Sequence, residues 1–358
     1  MVSAEQCCEL IDPDAYQGTG MPLSYAFDVR HMFKLLQAYL VMGVRSMSTK
    51  DLIKLARGFS KPFRVTDGRG FHLKDFDPSE TLHLDSEDKP RAKEALAFGI
   101  EALAELQDRL YAQDRWAVLL IFQAMDAAGK DGTIKHVMSG VNPTSCQVDS
   151  FKIPFAEDLD HDFLWRCIKS MPRRGQIGIF NRSYYEETLV VRVHQELLEK
   201  QKLPPELVTK NIWKERFEDI RSFERYLTRN GVVVRKFFLN VSKREQKKRF
   251  LERLENTEKN WKFSANDIKE RDFWDDYMTA YEDMIRHTAS PDAPWYVVPA
   301  DNKWFTRIAV AATVIETLDA LNLRYPEPSN EKLIGLAAAK QMLIGEQFPR
   351  HQDPRHAP

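Results

Sequence analysis

An α/β fold, with a parallel central sheet covered by helices on both faces, is predicted by three features of the sequence. Strand-like apolar runs alternate with segments of helical periodicity from about residue 88 to residue 321. One of those runs, Trp116–Phe122, is almost continuously apolar and rich in β-formers, as a strand buried on both faces must be. No internal repeat and no long linker interrupts the alternation, so one main domain is the economical division.

Taken in order, Asp88–Ala112 reads as a helix ahead of the strand Trp116–Phe122, and a further helix starts near Gly129. The strand Gln147–Phe151, a helix over Asp158–Lys169 and the strand Gln176–Phe180 follow. The helix Trp213–Arg229 feeds Val232–Leu239, an apolar run broken by Arg235 and Lys236 and expected to be buried over most of its length. A basic helix, Ser242–Leu254, then a helix Asp272–Arg286, the strand Trp295–Val298 and a last core helix Trp304–Leu321 complete the pattern. Before it, Met1–Ser46 holds Cys7-Cys8, Gly18, Gly20 and a short amphipathic segment, and one expectation is that translation starts at Met47. After it, Leu333–Leu343 is apolar and the tail from Gly345, with Pro349, Pro354 and Pro358, reads as disordered.

The balance of 52 basic and 53 acidic residues leaves a net charge of −1, so any polyanion must be recognised by local clustering, and general nucleic-acid adhesion is not expected. A hydrophobic content of 43% over 358 residues is enough for a sizeable core. No stretch approaches the roughly 20 apolar residues of a membrane span, and the N-terminus lacks a secretory pattern. Cys7, Cys8, Cys146 and Cys167 show no C-x-x-C spacing, which fits reduced thiols in a cytoplasmic protein.

The segment WAVLLIFQAMDAAGKDGTIK runs from a buried strand through a turn into a helix opening at Gly129 and Lys130. A helix start aims unpaired N–H groups and the positive dipole end at the turn, and Lys130 adds a mobile cation, so the segment suits phosphate. The pattern G-x-x-x-x-G-K-[ST] is not met: Ala124 stands at the first glycine and Asp131 at the hydroxyl position. Asp126 and Asp131 supply hard oxygen ligands instead, Asp126 being the better placed just past the strand's C-terminal end. The plainer alternative is that Asp126 caps the helix and Asp131 decorates its first turn.

The strand ending at Phe180 delivers Asn181, Arg182, Ser183, Tyr184, Glu186 and Glu187 to the same sheet edge. Arg182 has the planar fork that clamps phosphate oxygens, while Asn181 falls where an aspartate would serve a metal more strongly. An Asx turn with Arg182 paired to Glu186 is the structural alternative. In SKREQKKRFLERL, Ser242 and Glu245 form the pattern of a capping box, with Arg249 and Arg253 on one face, Lys243 and Lys247 on another, and Phe250 and Leu254 as anchors. A mobile basic cover over a phosphate site is one reading of this helix, and an ordinary solvated face is the other. His136, His161, His194 and His287 lack metal-ligand spacing, and Asp301 with Lys303 reads as a surface pair.

With FQAMDAAGKDGTIKHVMSGVNP, SFKIP, DFLWR, GQIGIFNRSYYEETLVVRVH, SKREQKKRFLER, NWKFS and APWYVVPADNKWFTR in view, the chain resembles the polyphosphate kinase type-2 family over roughly Thr81–Leu323. AGKDG and FNRSYYEE are similar to the subgroup acting on both nucleoside mono- and diphosphates, whereas other subgroups carry AGKGG and FDRSWY. The resemblance implies a three-layer α/β/α P-loop kinase fold with a helical lid. It divides the chain into a leading segment, 1–80, a phosphotransferase domain, 81–325, with its lid at about 242–275, and a C-terminal helix and tail, 326–358.

It implies Mg2+-dependent, reversible transfer of the terminal phosphoryl group of inorganic polyphosphate to AMP or ADP, with guanine nucleotides as further candidates, by a homodimer or homotetramer. Carried over residue by residue, Asp126 and Asn181 serve the metal, Lys130 holds the transferring phosphate and Arg182 stabilises its charge. Ala127, Ala128, Gly129, Asp131 and Gly132 form the loop and Lys152 lines the phosphate channel; of Tyr184 and Tyr185, on the residues themselves, one is expected to approach a nucleotide base, with Tyr184 the candidate, and the other to be buried. Arg249 and Arg253 belong to the lid, and Asp267 orients a basic group across the site. Two rival functions stay open on the residues: an ATP-dependent nucleoside monophosphate kinase, and a catalytically weak nucleotide or polyphosphate sensor.

Overall fold

The computed structural model describes residues 49–258 and 260–345. The expectations for Met1–Ser46 and for the tail beyond Gly345 lie outside those residues. Six strands form one sheet in the order β1-β6-β5-β2-β4-β3, where β1 is Arg64–Val65, β2 Ala117–Gln123, β3 Cys146–Ser150, β4 Ile177–Asn181, β5 Val232–Asn240 and β6 Trp295–Pro299. Every pairing is parallel except the antiparallel contact of β1 with β6. Every residue of β2 is buried, because β4 and β5 flank it and helices cover both faces, which is why its sequence shows no alternation.

The main helices are α1 (Thr49–Ser60), α2 (Lys89–Gln113), α3 (Lys130–Val137), α4 (Ile212–Arg229), α5 (Lys243–Glu255), α6 (Trp274–Thr288) and α7 (Lys303–Asp319). Helix α2 opens with Pro90 in its first turn, where a missing N–H costs nothing, and ends at Asp114 in a left-handed conformation. Leu103, Leu106 and Leu110 form its buried stripe, and α7 is buried along most of its length.

The long elements agree with the sequence within a residue or two. The helix expected over Asp158–Lys169 is instead two single turns, Ala156–Leu159 and Trp165–Ile168. The Asp162 carboxylate accepts from the Leu164 amide at 2.9 Å, a local turn that competes with helix continuation. Strand β1 and helix α1 were not expected. Residues 49–80, read from the sequence as a leading segment, place Leu55, Phe59, Phe63, Val65, Phe71 and Leu73 in the main core, with Phe59 and Phe63 each edge-on to the Phe305 ring. By compactness the chain divides at Leu323/Arg324, beside the boundary expected at 325/326, and the second unit contains the helix Asn330–Gly345.

The parallel register brings Gln123, Ser150, Asn181, Asn240 and Pro299 to one edge of the sheet, where the connecting loops of an open α/β sheet gather.

Candidate functional site

Chain leaving β2 turns through Ala124–Gly129 into α3. Gly129 sits at φ 106°, a conformation glycine adopts without steric cost, and Ala127 at φ 63°, which costs a residue with a Cβ on the order of 1–2 kcal/mol. These two left-handed residues tighten the turn so that α3 begins at Lys130 with its free N–H groups toward the loop. Lys130 is buried, and its ammonium donates to the Ala124 carbonyl at 3.1 Å, lying along the loop that it closes. Burial, and next the charge of Arg182, hold its pKa below the ordinary lysine value against the opposing pull of Asp126, Glu186 and Asp131.

The neighbouring turn, after β4, carries Arg182 at φ 65°, its amide donating to the Phe122 carbonyl at 3.0 Å. That bond locks the two loops together and aims the guanidinium at Asp126, 3.2 Å away, and Glu186, 3.5 Å away. Glu186 first, then Asp126, stabilises the cation against its own burial. The Asn181 amide donates to Asp131 at 2.9 Å, leaving the Asn181 oxygen available. Asp126, Lys130, Asp131, Asn181, Arg182 and Glu186 therefore form one cluster from two loops.

Asp267 faces that cluster from the segment after α5. It closes the capping box of the short helix Ala265–Lys269, and its carboxyl is raised in pKa by desolvation and then by Asp126, with Arg253 and Arg182 opposing. Arg253 is half-buried, its guanidinium over the Phe250 ring at 5.6 Å. Gly132 has open space around it, and Lys152 is exposed just beyond β3.

Two expected site residues are placed elsewhere. Tyr184, expected at the nucleotide, is buried, and its hydroxyl donates to Glu224 at 3.0 Å. Tyr185 donates to the same oxygen at 2.7 Å, while the fully buried Lys236 ammonium donates to the second Glu224 oxygen at 2.5 Å and to the Thr288 carbonyl at 2.8 Å. This network closes polar groups of the turn after β4, of α4, β5 and α6 over one another, which a core requires.

Arg249 is no mobile cover residue either. It is 3% exposed, and its guanidinium is bonded behind the phosphate loop to the carbonyls of Ala127 at 3.0 Å and Ala128 at 2.7 Å. Gln246, Arg249 and Phe250 form the buried stripe of α5, whereas Leu254, expected as an anchor, is exposed. The capping box is half formed. Ser242 accepts from the Glu245 amide, but Glu245 pairs with Arg249, and Asp301 accepts from the Ser242 amide and hydroxyl at 2.8 and 2.7 Å. Asp301 is thus a tie between β6 and α5. Sequence reasoning also missed Gln246, whose amide donates to the Asp126 carbonyl at 2.9 Å; its spacing from Arg249 and Phe250 was the available signal.

Among the described residues, no group of three or more His, Cys, Asp or Glu side chains could by itself hold a metal ion. Asp126, about two-fifths exposed, and the Asn181 oxygen are hard donors, and Mg2+ keeps several waters and completes its shell with substrate phosphates. The donor set fits such an ion.

The profile described as Polyphosphate kinase 2 (PPK2) matches residues 84–326. The chain is 49% identical over 286 residues to the ADP-polyphosphate phosphotransferase of Rhodopseudomonas palustris, covering 80% of this chain and 98% of that relative. It is 44% identical over 276 residues to the AMP/ADP-polyphosphate phosphotransferase of Meiothermus ruber, covering 76% and 99%. The crystal structure of polyphosphate kinase 2 from Arthrobacter aurescens TC1 superposes with a TM-score of 0.72 at 38% identity, over 80% of this chain and 96% of that one.

Proposed function

The chain belongs to the polyphosphate kinase 2 family, and from that premise we propose that it transfers the terminal phosphoryl group of inorganic polyphosphate to AMP and ADP, reversibly and with Mg2+. The observation that carries the proposal is the convergence of Lys130, Asp126 and Arg182 at the carboxyl edge of the sheet, beside a helix start that no side chain caps. Phosphoryl transfer needs little covalent work from the protein; it needs two anions held in line and their charge neutralised. Lys130 and the α3 amides bind the donor chain, and Arg182 meets the charge that develops on the transferring group. The acceptor oxygen is anionic near neutral pH, so Asp126 orients acceptor and metal and no general base is required. Asp126 and the Asn181 oxygen would hold Mg2+, which supplies charge neutralisation at the phosphates when bound.

Binding of phosphate at Arg182 must exchange the Asp126 contact for a substrate oxygen, a swap that leaves neither charge unpaired. The cover of the site is the segment from Arg253 to Asp275, with Asp267 steering basic groups across it. Lys152 extends the cationic path along the β3 edge. Exposed Val148, Ile153 and Phe155 beside the unpaired edge of β3 support self-association as a dimer or tetramer. Burial pushes the Cys146 thiol up to about 11 and the Cys167 thiol up to about 12, so both stay in the neutral, weakly nucleophilic form near neutral pH.

The test is ADP and ATP formation by the purified protein given Mg2+ and long-chain polyphosphate, with AMP and ADP as acceptors in separate reactions. Product from both is expected. Product from ADP alone removes the broad acceptor range and keeps the donor, and product from neither overturns the proposal.

A further inference from the structure

Arg249 lies outside the cluster that faces substrate, yet its bonds are unusually complete. A guanidinium carries five N–H donors in a fixed plane. Here Nε donates to Glu245 at 2.8 Å; one terminal nitrogen donates to the Ala127 and Ala128 carbonyls at 3.0 and 2.7 Å; the other donates to the Ala300 and Asp301 carbonyls at 2.6 and 3.0 Å. Each donor has an acceptor, and four of the five acceptors are backbone carbonyls of the two loops that follow β2 and β6. Burial of a guanidinium requires that its donors be met; what distinguishes this site is that four of the acceptors meeting them are carbonyls of two loops rather than side chains.

What the contacts do is orient peptide groups. A loop binds phosphate through N–H groups turned inward, and each peptide whose N–H points in must send its carbonyl out. The Asp126 and Ala128 carbonyls belong to the peptides that carry the Ala127 and Gly129 N–H groups, while the peptide between them turns the Ala128 N–H onto the Met125 carbonyl at 3.2 Å and closes the turn; Ala127 is the residue held in the left-handed conformation that a side chain disfavours. Its carbonyl and the next one are drawn backward onto a buried cation. Gln246, one turn earlier on α5, takes the carbonyl before them, that of Asp126, at 2.9 Å. Three successive carbonyls of the phosphate loop thus end on one face of α5.

We infer that Arg249 is a positioning residue for phosphoryl transfer: it sets the phosphate loop in its anion-binding conformation and ties that loop to the β6–α7 connection. The inference rests on the reading of Ala124–Lys130 as the donor-phosphate loop. Helix α5 is accordingly divided in role, its buried first half belonging to the rigid site and the chain beyond Arg253 forming the cover. Lysine at 249 keeps the charge and the Glu245 pairing but has three donors from one nitrogen, which cannot reach carbonyls on two loops at once.

The experiment compares wild-type protein with Arg249→Lys in two measurements: the equilibrium Kd for tripolyphosphate by calorimetry, with non-turnover conditions set by omitting nucleotide, and steady-state kcat and KM for ADP with polyphosphate. The thermal midpoint is recorded alongside. The expected result is at least a tenfold weaker tripolyphosphate Kd and a kcat lower by about 100-fold, the size of one lost set of preorganised donors, with KM for ADP within threefold and a cooperative melt retained. A tripolyphosphate Kd and kcat both within threefold of wild type overturn the inference. So does an equal loss of ADP and tripolyphosphate binding, which marks general disruption. Should the lysine variant not fold, Arg249→Met fills the same channel without an unpaired buried charge and supplies both measurements, read by the same limits. Wild-type protein that binds no tripolyphosphate refutes the phosphate-loop reading itself, an outcome separate from any effect of the substitution.

Discussion

Removing the Lys130 ammonium by Lys130→Ala should lower kcat/KM with polyphosphate by about 100-fold or more, on the order of the roughly 3 kcal/mol that one transition-state contact supplies. Near-normal turnover would take Lys130 out of the reaction. The same residue predicts a pH limit. Donor binding needs the charged lysine, and its folded-state pKa is lowered, chiefly by burial. That charge is therefore lost as pH rises through a value below the ordinary lysine figure of about 10.4. The alkaline limb of kcat/KM, which reports the free enzyme, should fall below that figure, and a limb at or above it would contradict the assignment. At this scale the sequence was informative about chemical type and less so about placement. Asp126, Lys130 and Arg182 could be named because they follow strand ends at motif spacing. Tyr184 and Arg249 could not be placed, since a hydroxyl or a guanidinium next to a motif reads the same whether it faces substrate or core.

Helices and strands carry their own tests. Lys236 and Glu224 are both buried, a charge pair joining β5 to α4. Glu224→Leu leaves the Lys236 ammonium without its carboxylate and should cost about 3–5 kcal/mol of stability. Adding Lys236→Met to it should recover most of that loss, because no unpaired charge remains. Urea unfolding of the two variants decides this: an equally unstable double variant would show that the pair matters through shape and not charge. Tyr184→Phe removes one bond to Glu224 and should cost about 1 kcal/mol with KM for ADP unchanged. A raised KM would return Tyr184 to the nucleotide site. Most of these elements were legible, because a fully buried parallel strand and an amphipathic helix leave different periodicities. The missed interruption over Asp160–Leu164 was not, since an aspartate such as Asp162 reads the same whether it caps a local turn or sits on a helix surface.

For the molecule as a whole, the boundary expected near residue 80 is the instructive case. Residues 49–80 fall largely outside the span of the resemblance, yet α1 packs on α7 and β1 extends the sheet beyond β6. Phe59→Ala should then cost about 3–5 kcal/mol, the usual penalty for emptying a buried aromatic position, and lower the single melting transition of the entire domain. A separate early transition with the main one unmoved would restore residues 49–80 to the status of an appendage. Strand and helix order and a strand–turn–helix suited to phosphate were legible in the sequence, because each rests on local spacing or on residue types next to one another in the chain, while the class of chemistry followed from the resemblance of whole motifs to a family. Tertiary structure decided which face of α5 is buried, which tyrosines serve the core and how two loops meet at Arg249. Those outcomes depend on partners distant in the chain, Glu224 for the tyrosines and Ala127 and Ala300 for Arg249, which local pattern does not encode.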